Sequence, residues 1–270
     1  METSSARPQP RSQTSRQDTV NRRVYFSAGV YRYYLSQQLT PPESACLSKY
    51  HRHIADHDVL DIGVGAGRTA RHLAPLARRY EAVDYSPVMV SYVKKVMPAI
   101  SIRQADFRDL GAFEGRSFDF LFATDNVIDA LCHQDRLQAL SEAARVLVPG
   151  GLLAFSSHNI RYKNAFSAPR LTWSSNPVRL AINAAKYFVS RWNHFHVAPL
   201  RQITPEYALV NDPGHHYACL HYYTSRSVVE AQLDGCGLRL IDAFDNRGEI
   251  AKEGEDDSES PHLLYVAERR

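Results

Sequence analysis

The sequence predicts an α/β protein with a doubly wound, mostly parallel sheet. Three observations carry that reading. Residues 57–70, HDVLDIGVGAGRTA, run from the apolar segment Val59-Leu60-Asp61-Ile62 through Gly63, Gly65 and Gly67 into a helical pattern with Ala70, Leu73, Ala74 and Ala77 on one face. That is strand, glycine loop and helix, the opening unit of such a sheet. A second short run, Tyr80-Glu81-Ala82-Val83, ends in an acid, Asp84, where an open α/β sheet places a ribose-binding carboxylate. Further short apolar runs then alternate with helical patterns to the end of the chain.

The elements follow in order. Residues 1–20 are rich in Ser, Thr, Gln, Arg and Pro and poor in large apolar groups, so they are expected to be a disordered, solvated tail. Residues 24–39, VYFSAGVYRYYLSQQL, predict a tyrosine-rich helix ended by Thr40-Pro41-Pro42, and a second helix covers about 43–55. His51, His53 and His57 lie in or after it, but a helix sends His51 and His53 to different faces, so no metal is expected there. After Asp84, Ser86-Pro87 starts a helix to Met97, because proline suits a first helical turn. Strands are expected at 100–105, 118–123 and 152–157, with an amphipathic helix over 134–147 closed by Pro149-Gly150-Gly151.

Residues 160–221 are too long for a plain connection and predict a lid. Asn176-Pro177 opens its helix, with Val178, Ala181, Ile182, Ala185, Val189 and Trp192 on one face and Arg179, Asn183, Lys186 and Ser190 opposite. Such a helix suits a membrane surface. The reading preferred on sequence is an ordinary lid helix whose charged side is solvated. His194, His196, His215 and His216 follow without a spacing that demands a metal. A strand over 217–223, a helix over 225–235 and strands at 238–244 and 262–267 complete the chain, with a solvated acidic loop at 253–259.

Composition narrows the class. The 270 residues are 44% apolar, enough for one large domain, and the net charge of +3 demands no polyanionic partner. No apolar run reaches the roughly eighteen residues of a membrane span. Cys46, Cys132, Cys219 and Cys236 are far apart and form no CxxC pair, which fits reduced thiols in the cytoplasm. No signal-peptide core appears near the N-terminus.

The glycine loop then selects a cofactor. A backbone without Cβ atoms can turn through positive φ close to a ligand. From Gly65 the segment G-A-G-R-T-A also fits the dinucleotide pattern, whereas no Gly-Lys-Ser/Thr follows to make a phosphate loop. Asp61 discriminates: a carboxylate there repels a pyrophosphate and attracts an ammonium group. S-adenosylmethionine offers an amino group, a sulfonium and no phosphate. Asp84 suits the ribose of either S-adenosylmethionine or NAD.

D-I-G-V-G-A-G, D-Y-S-P-V-M and the later P-G-G together resemble the class I S-adenosylmethionine-dependent methyltransferase family, strongly over 45–157 and moderately over 222–268. The resemblance implies a Rossmann-like, mostly parallel seven-stranded sheet with the last strand antiparallel beside strand five and an inserted lid before the C-terminal strands. It implies S-adenosyl-L-methionine as cofactor, held by Asp61, Gly63, Gly65, Gly67, Asp84 and Tyr85, by Met89 against the adenine, by Asp106 and Phe107 around its amine and ring, and by Thr124. Tyr31 and Tyr34 of the N-terminal cap, His133, His215 and Tyr217 are expected on the substrate side.

Methyl transfer needs a proton acceptor when the nucleophile is a hydroxyl or ammonium. Asp125, Asp129 and His133 follow the 118–123 strand, and His158 follows the 152–157 strand. Imidazoles ordinarily titrate near about 6.5, which suits the task better than a carboxylate. His158 is therefore the expected base, with Asp125 as its orienting partner. An equally simple alternative has His158 bonding the backbone where the lid departs. The base-methylating Asn/Asp-Pro-Pro-aromatic motif and the Pro-Cys nucleophile are both missing after 118–123. A small or medium-sized organic acceptor is expected, with nucleic acid disfavoured. An NAD-dependent oxidoreductase, a methyltransferase of RNA, protein or a lipid-linked acceptor, and a silent cofactor-binding domain stay open.

Overall fold

The computed structural model describes residues 16–27, 30–35 and 38–270. Its strands are β1 (Asp58–Ile62), β2 (Arg79–Asp84), β3 (Ser101–Gln104), β4 (Phe118–Ala123), β5 (Leu147–Asn159), β6 (Gln202–Ile203), β7 (Tyr207–Val210), β8 (His221–Thr224), β9 (Leu238–Phe244) and β10 (His262–Arg269). They form one sheet in which β3-β2-β1-β4-β5 run parallel, β10 lies antiparallel beside β5, and β9 lies antiparallel beside β10. That is the expected seven-stranded arrangement. Alternate residues serve opposite faces: Leu60, Leu121 and Phe155 enter one core and Val59, Phe120 and Phe122 the other. Both faces are buried, which is why these strands read as continuous apolar runs.

Helices α1 (Arg16–Tyr25), α2 (Tyr31–Tyr34), α3 (Pro41–Lys49), α4 (Ala70–Leu73), α5 (Pro87–Val96), α6 (His133–Val146), α7 (Pro177–Val197) and α8 (Arg226–Gly235) complete the fold. The N-terminal region differs from expectation. Residues 16–20, assigned to the tail, are helical, and Gln17, Asp18 and Asn21 are buried. Polar side chains hold α1 in place: Gln17 and Asn21 both donate to the Leu220 carbonyl, at 3.0 and 2.9 Å. Composition reads such a segment as disordered because its anchoring is polar rather than apolar. Residues 1–15 of that tail lie outside the described residues. The single helix expected over 24–39 is split between α1 and α2. Helix α3 begins at Pro41, with Thr40 and Glu43 closing a capping box.

The insertion does more than cover. β5 outruns β4, whose pairing stops at Ala123 opposite Phe155. The overhanging His158 and Asn159 pair with Tyr223 and Thr224 of β8, and β7 and β6 extend the sheet from there. Backbone groups at that depth need partners, and β8, just after the insertion, with β6 and β7 from within it, makes a ten-stranded sheet. The strand expected over 217–223 starts only at His221, because His215, His216 and Tyr217 turn the chain in left-handed backbone conformation.

Gly67 has a structural task here. Its φ is +83°, and a Cβ would lie 2.6 Å from Sδ of Met97. Gly67→Ala should destabilise by about 1–3 kcal/mol through overpacking and an unfavourable φ. Adding Met97→Ala should recover the packing part, as read from urea unfolding of the single and double variants; equal losses in both would exclude the Met97 contact as the cause.

Candidate active site

The carboxyl ends of β1, β2 and β4 open onto a cleft of about 760 Å³ that brings together Asp61, Gly63, Gly65, Asp84, Tyr85, Met89 and Thr124. Asp106 and Phe107 line an adjoining cleft of about 450 Å³, which shares Ile62, Gly63, Tyr85, Val127 and Ala130 with the first. Gly63 is the close approach: φ is +71°, and a Cβ would lie 2.4 Å from a Val127 methyl. Gly67 does not line the cleft; its backbone turns at positive φ against Met97.

Two carboxylates dominate this cleft. Asp84 accepts the Gly65 and Ser86 backbone N–H groups at 2.9 and 2.8 Å, and Asp61 accepts the hydroxyls of Thr69 and Tyr80 at 2.5 and 2.7 Å. Burial lifts both from an ordinary 3.8 to about 6, against the pull of those hydrogen bonds. The Tyr85 hydroxyl and the Asn126 Oδ1 are buried with no hydrogen-bond partner among the described residues. Both residues line the cleft. Unmet polar groups beside glycine backbone and carboxylates fit a ligand bearing hydroxyls and a cation. Arg68, also on the wall, pairs with Glu43 of α3, its Nη2 at 2.8 Å. The T-P-P-E capping box announces Glu43 in the sequence, but nothing local reveals its partner.

A second chamber, of about 1030 Å³, lies beyond Tyr25, Tyr34, Asp125 and Asn126, which line both spaces. Its floor is His158, fixed in mid-sheet between His262 of β10 and Tyr223 of β8. His158 Nδ1 lies 2.7 Å from Oδ2 of Asp129, which also accepts the His158 backbone N–H at 2.6 Å. With Nδ1–H donating to the carboxylate, Nε2 is the accepting nitrogen, 3.3 Å from Asn126 Nδ2. Asp129 in turn accepts from Arg136 Nη1 at 2.6 Å and Ser157 Oγ at 2.7 Å, and both members of the Arg136–Asp129 pair are wholly buried.

The carboxylate bonded to His158 is thus Asp129, where the sequence pointed to Asp125. Asp125 and Asn126 both adopt φ of +58°, and this left-handed step turns the following 3-10 segment, Val127–Ala130, so that Asp129 enters the core. Asp125 itself lines the wall, its carboxyl pushed up by burial.

His215 and Tyr34 reach the chamber and hydrogen-bond each other at 3.1 Å. Burial lowers the His215 imidazole to about 4, with the neighbouring His221 adding to the effect. His133 does not reach the chamber: it bonds the Tyr222 hydroxyl at 2.8 Å and stacks on Tyr207. Tyr217 is buried and does not line the chamber itself, but its hydroxyl donates at 3.2 Å to the carbonyl of Ser167, which does. The side chain of Tyr31 lies outside the described residues.

Sequence reasoning missed Asp212 and His221. Their atoms and those of His158 lie within 4.8 Å of one another, the one group of potential metal ligands among the described residues. Oδ2 of Asp212 is already occupied by His221 Nδ1 and the Tyr223 hydroxyl, each at 2.8 Å. Burial opposes the charged imidazolium of His221, but Asp212 outweighs it and holds the ring well above its ordinary value. This is a buried ion pair wired by hydrogen bonds.

Asp61 gives a pH signature. Its folded value of about 6 exceeds the ordinary 3.8, so between those values the native state keeps a proton that the unfolded chain has released. Its contribution to stability therefore falls as pH rises from about 4 to about 6. Asp61→Asn keeps an acceptor for Thr69 and Tyr80 and removes that slope. We expect a gain on the order of 1–3 kcal/mol at pH 7 in urea unfolding, and a shallower decline across this window than in the parent, where Asp84 acts in the same direction. An unaltered pH profile would mean that Asp61 ionises as readily folded as unfolded.

Residues 60–155 match the family described as "Methyltransferase domain". A probable S-adenosylmethionine-dependent methyltransferase of Mycolicibacterium smegmatis is 35% identical over 105 residues, 39% of each chain. A trans-aconitate 2-methyltransferase of Paracidovorax citrulli is 26% identical over 162 residues, 59% of this chain and 60% of that one. The chain thus spans about two fifths of the length of the first relative. Among solved structures, a Burkholderia thailandensis 1,6-didemethyltoxoflavin-N1-methyltransferase superposes with a TM-score of 0.60 at 12% identity, covering 97% of this chain and 92% of that one. Residues 60–155 thus resemble a methyltransferase domain, and they lie in a fold shared with solved S-adenosylmethionine-dependent methyltransferases.

Proposed function

We propose that this protein transfers a methyl group from S-adenosylmethionine to a small or medium-sized organic acceptor, such as a metabolite, natural product or sugar, held above His158. The observation that carries the reading is the wall common to both spaces. Tyr25, Tyr34, Asp125 and Asn126 separate the cleft of Asp61 and Asp84 from the chamber of His158. In-line displacement asks for such a boundary, where the nucleophile meets the methyl and water is kept out. The aconitate and toxoflavin methyltransferases act, by name, on small molecules, which supports the same acceptor class here.

S-adenosylmethionine, when bound, supplies a methyl group on a sulfonium with a good leaving group. The chain's own residues do the rest. Asp84, pinned by two backbone N–H groups, keeps lone pairs for two ribose hydroxyls. Asp61 faces the amino group with its Oδ2 held by Thr69 and Tyr80. Asp106 is clamped by Arg108 at 2.6–2.9 Å and takes the adenine amine, with Phe107 beside the ring. His158 Nε2 takes the proton from the acceptor's hydroxyl or ammonium. Asp129 fixes the tautomer beforehand and stabilises the imidazolium afterwards, the role of the third member of a triad.

Calorimetric titration with S-adenosylmethionine, S-adenosylhomocysteine and NAD, followed by methyl uptake across a metabolite panel, tests the proposal; tight NAD binding with no S-adenosylmethionine binding would overturn it. Asp84→Ala should cost cofactor affinity about 1.5–3 kcal/mol for each lost charged hydrogen bond. His158→Ala should bind cofactor normally and lose roughly 10²–10⁴ in turnover. Near-normal turnover across a pH series in that variant would instead identify an acceptor that needs no enzymatic base.

A further inference from the structure

Helix α7 is inverted. Its polar side faces the protein: Ser190 is buried, Asn183 donates to the Thr172 carbonyl at 2.8 Å, Asn193 donates to the His216 carbonyl at 2.9 Å, and His194 bonds Arg201. Its apolar side faces solvent, with Phe188, Trp192 and Phe195 at 70, 67 and 76% exposure and Val178, Ile182 and Val189 also exposed. At 100° per residue these six side chains fill an arc of about 140°. Trp173, just before the helix, is equally exposed. The charged side chains Arg179 and Lys186 are in water, as a lid helix would have them, but among the described residues the apolar side has no cover either. A patch of this size marks an interaction surface.

Charge identifies the occupant. Lys186 and Arg179 border one edge of the apolar arc and Arg191 the other. Residues 160–205 contain seven Lys and Arg and no Asp or Glu. That excess is larger than the whole chain's net charge of +3, so the remainder is net acidic. Exposed Arg170, Arg179, Lys186 and Arg191 have no carboxylate within 4.0 Å among the described residues. A second copy of this chain would set these cations against each other, which opposes a symmetric dimer through the patch. An anionic surface satisfies both features: aromatic rings enter the headgroup boundary while Lys and Arg stems reach back to phosphates. No helix among the described residues is long and apolar enough to cross a membrane, so the contact lies along the surface.

We propose that the apolar side of α7 forms a docking face for an anionic lipid bilayer, with α7 lying in the plane of the headgroups. This inference stands independently of the acceptor's identity. The chain's only two tryptophans are Trp173 and Trp192; both are exposed, and Trp192 lies on this face and reports on it directly. On vesicles of phosphatidylcholine with phosphatidylglycerol, their emission should shift to the blue and the protein should sediment with the lipid. Vesicles of phosphatidylcholine alone, or high salt, should weaken binding roughly tenfold or more, because surface cations act within a Debye length. The double variant Phe188→Glu/Phe195→Glu keeps both tryptophans and should also bind at least about tenfold more weakly, with unchanged circular dichroism and unchanged S-adenosylmethionine affinity. No spectral shift and no sedimentation with anionic vesicles would overturn the proposal. So would parent-like binding by the double variant, equal binding to both lipid mixtures, or self-association without lipid that the double variant abolishes.

Discussion

The ion pair between Arg136 and Asp129 is sealed from solvent on both sides, and four parts of the protein converge on it. Arg136 reaches it from α6 and also bonds Gln232 of α8 and Ser157 of β5. Asp129 receives Ser157, the His158 backbone and the His158 ring, while its own carbonyl accepts from Gln17 of α1. A buried pair such as this is costly to form and costlier to break, since removing one partner strands a charge in the core, at about 3–5 kcal/mol. What the pair secures is geometry. It sets the imidazole of His158 at one angle and in one tautomer, and it ties that angle to the packing of two helices rather than to a loop.

That arrangement shows which parts of the site were legible in the sequence. The glycine loop, Asp61 and Asp84 were readable because strand, turn and helix lie within thirty residues and the backbone constraint is local. His158 was readable as a residue leaving a strand end. Its partner was not, because Asp129 is turned inward only after two consecutive left-handed residues, Asp125 and Asn126, and nothing in D-N-V-I-D specifies that step. Asp212 and His221 were invisible for a different reason. They come from the insertion, and their proximity to His158 depends on β8 pairing with the overhang of β5, a long-range event with no local sign.

Helix α7 teaches the complementary lesson. Its period was read correctly, and its start at Asn176-Pro177 holds, with the Asn176 side chain accepting from Arg179 at 3.1 Å. Periodicity sorts side chains into two faces, however, and says nothing about which face meets the protein. The usual assumption, apolar inward, rests on the hydrophobic effect acting within one chain. Here the inner surface offers carbonyls at Thr172 and His216 and a guanidinium at Arg201, so the asparagines and His194 turn in and the aromatic rings are left outside.

The turn beneath α7 holds three successive residues, His215, His216 and Tyr217, at φ of 47, 55 and 63°. Each such non-glycine residue costs roughly 1–2 kcal/mol relative to a right-handed conformation. Glycine, asparagine or aspartate would occupy those places more cheaply. The chain instead keeps three rings there and fastens them with Asn193 on the His216 carbonyl and Asn211 on the Tyr217 carbonyl. A bulky residue maintained against its own backbone preference is a position specified by its side chain. Variation at 215 and 217 is therefore limited by two demands that glycine cannot meet together: a ring against Tyr34 and Tyr25 at one end, and a phenol reaching Ser167 at the other.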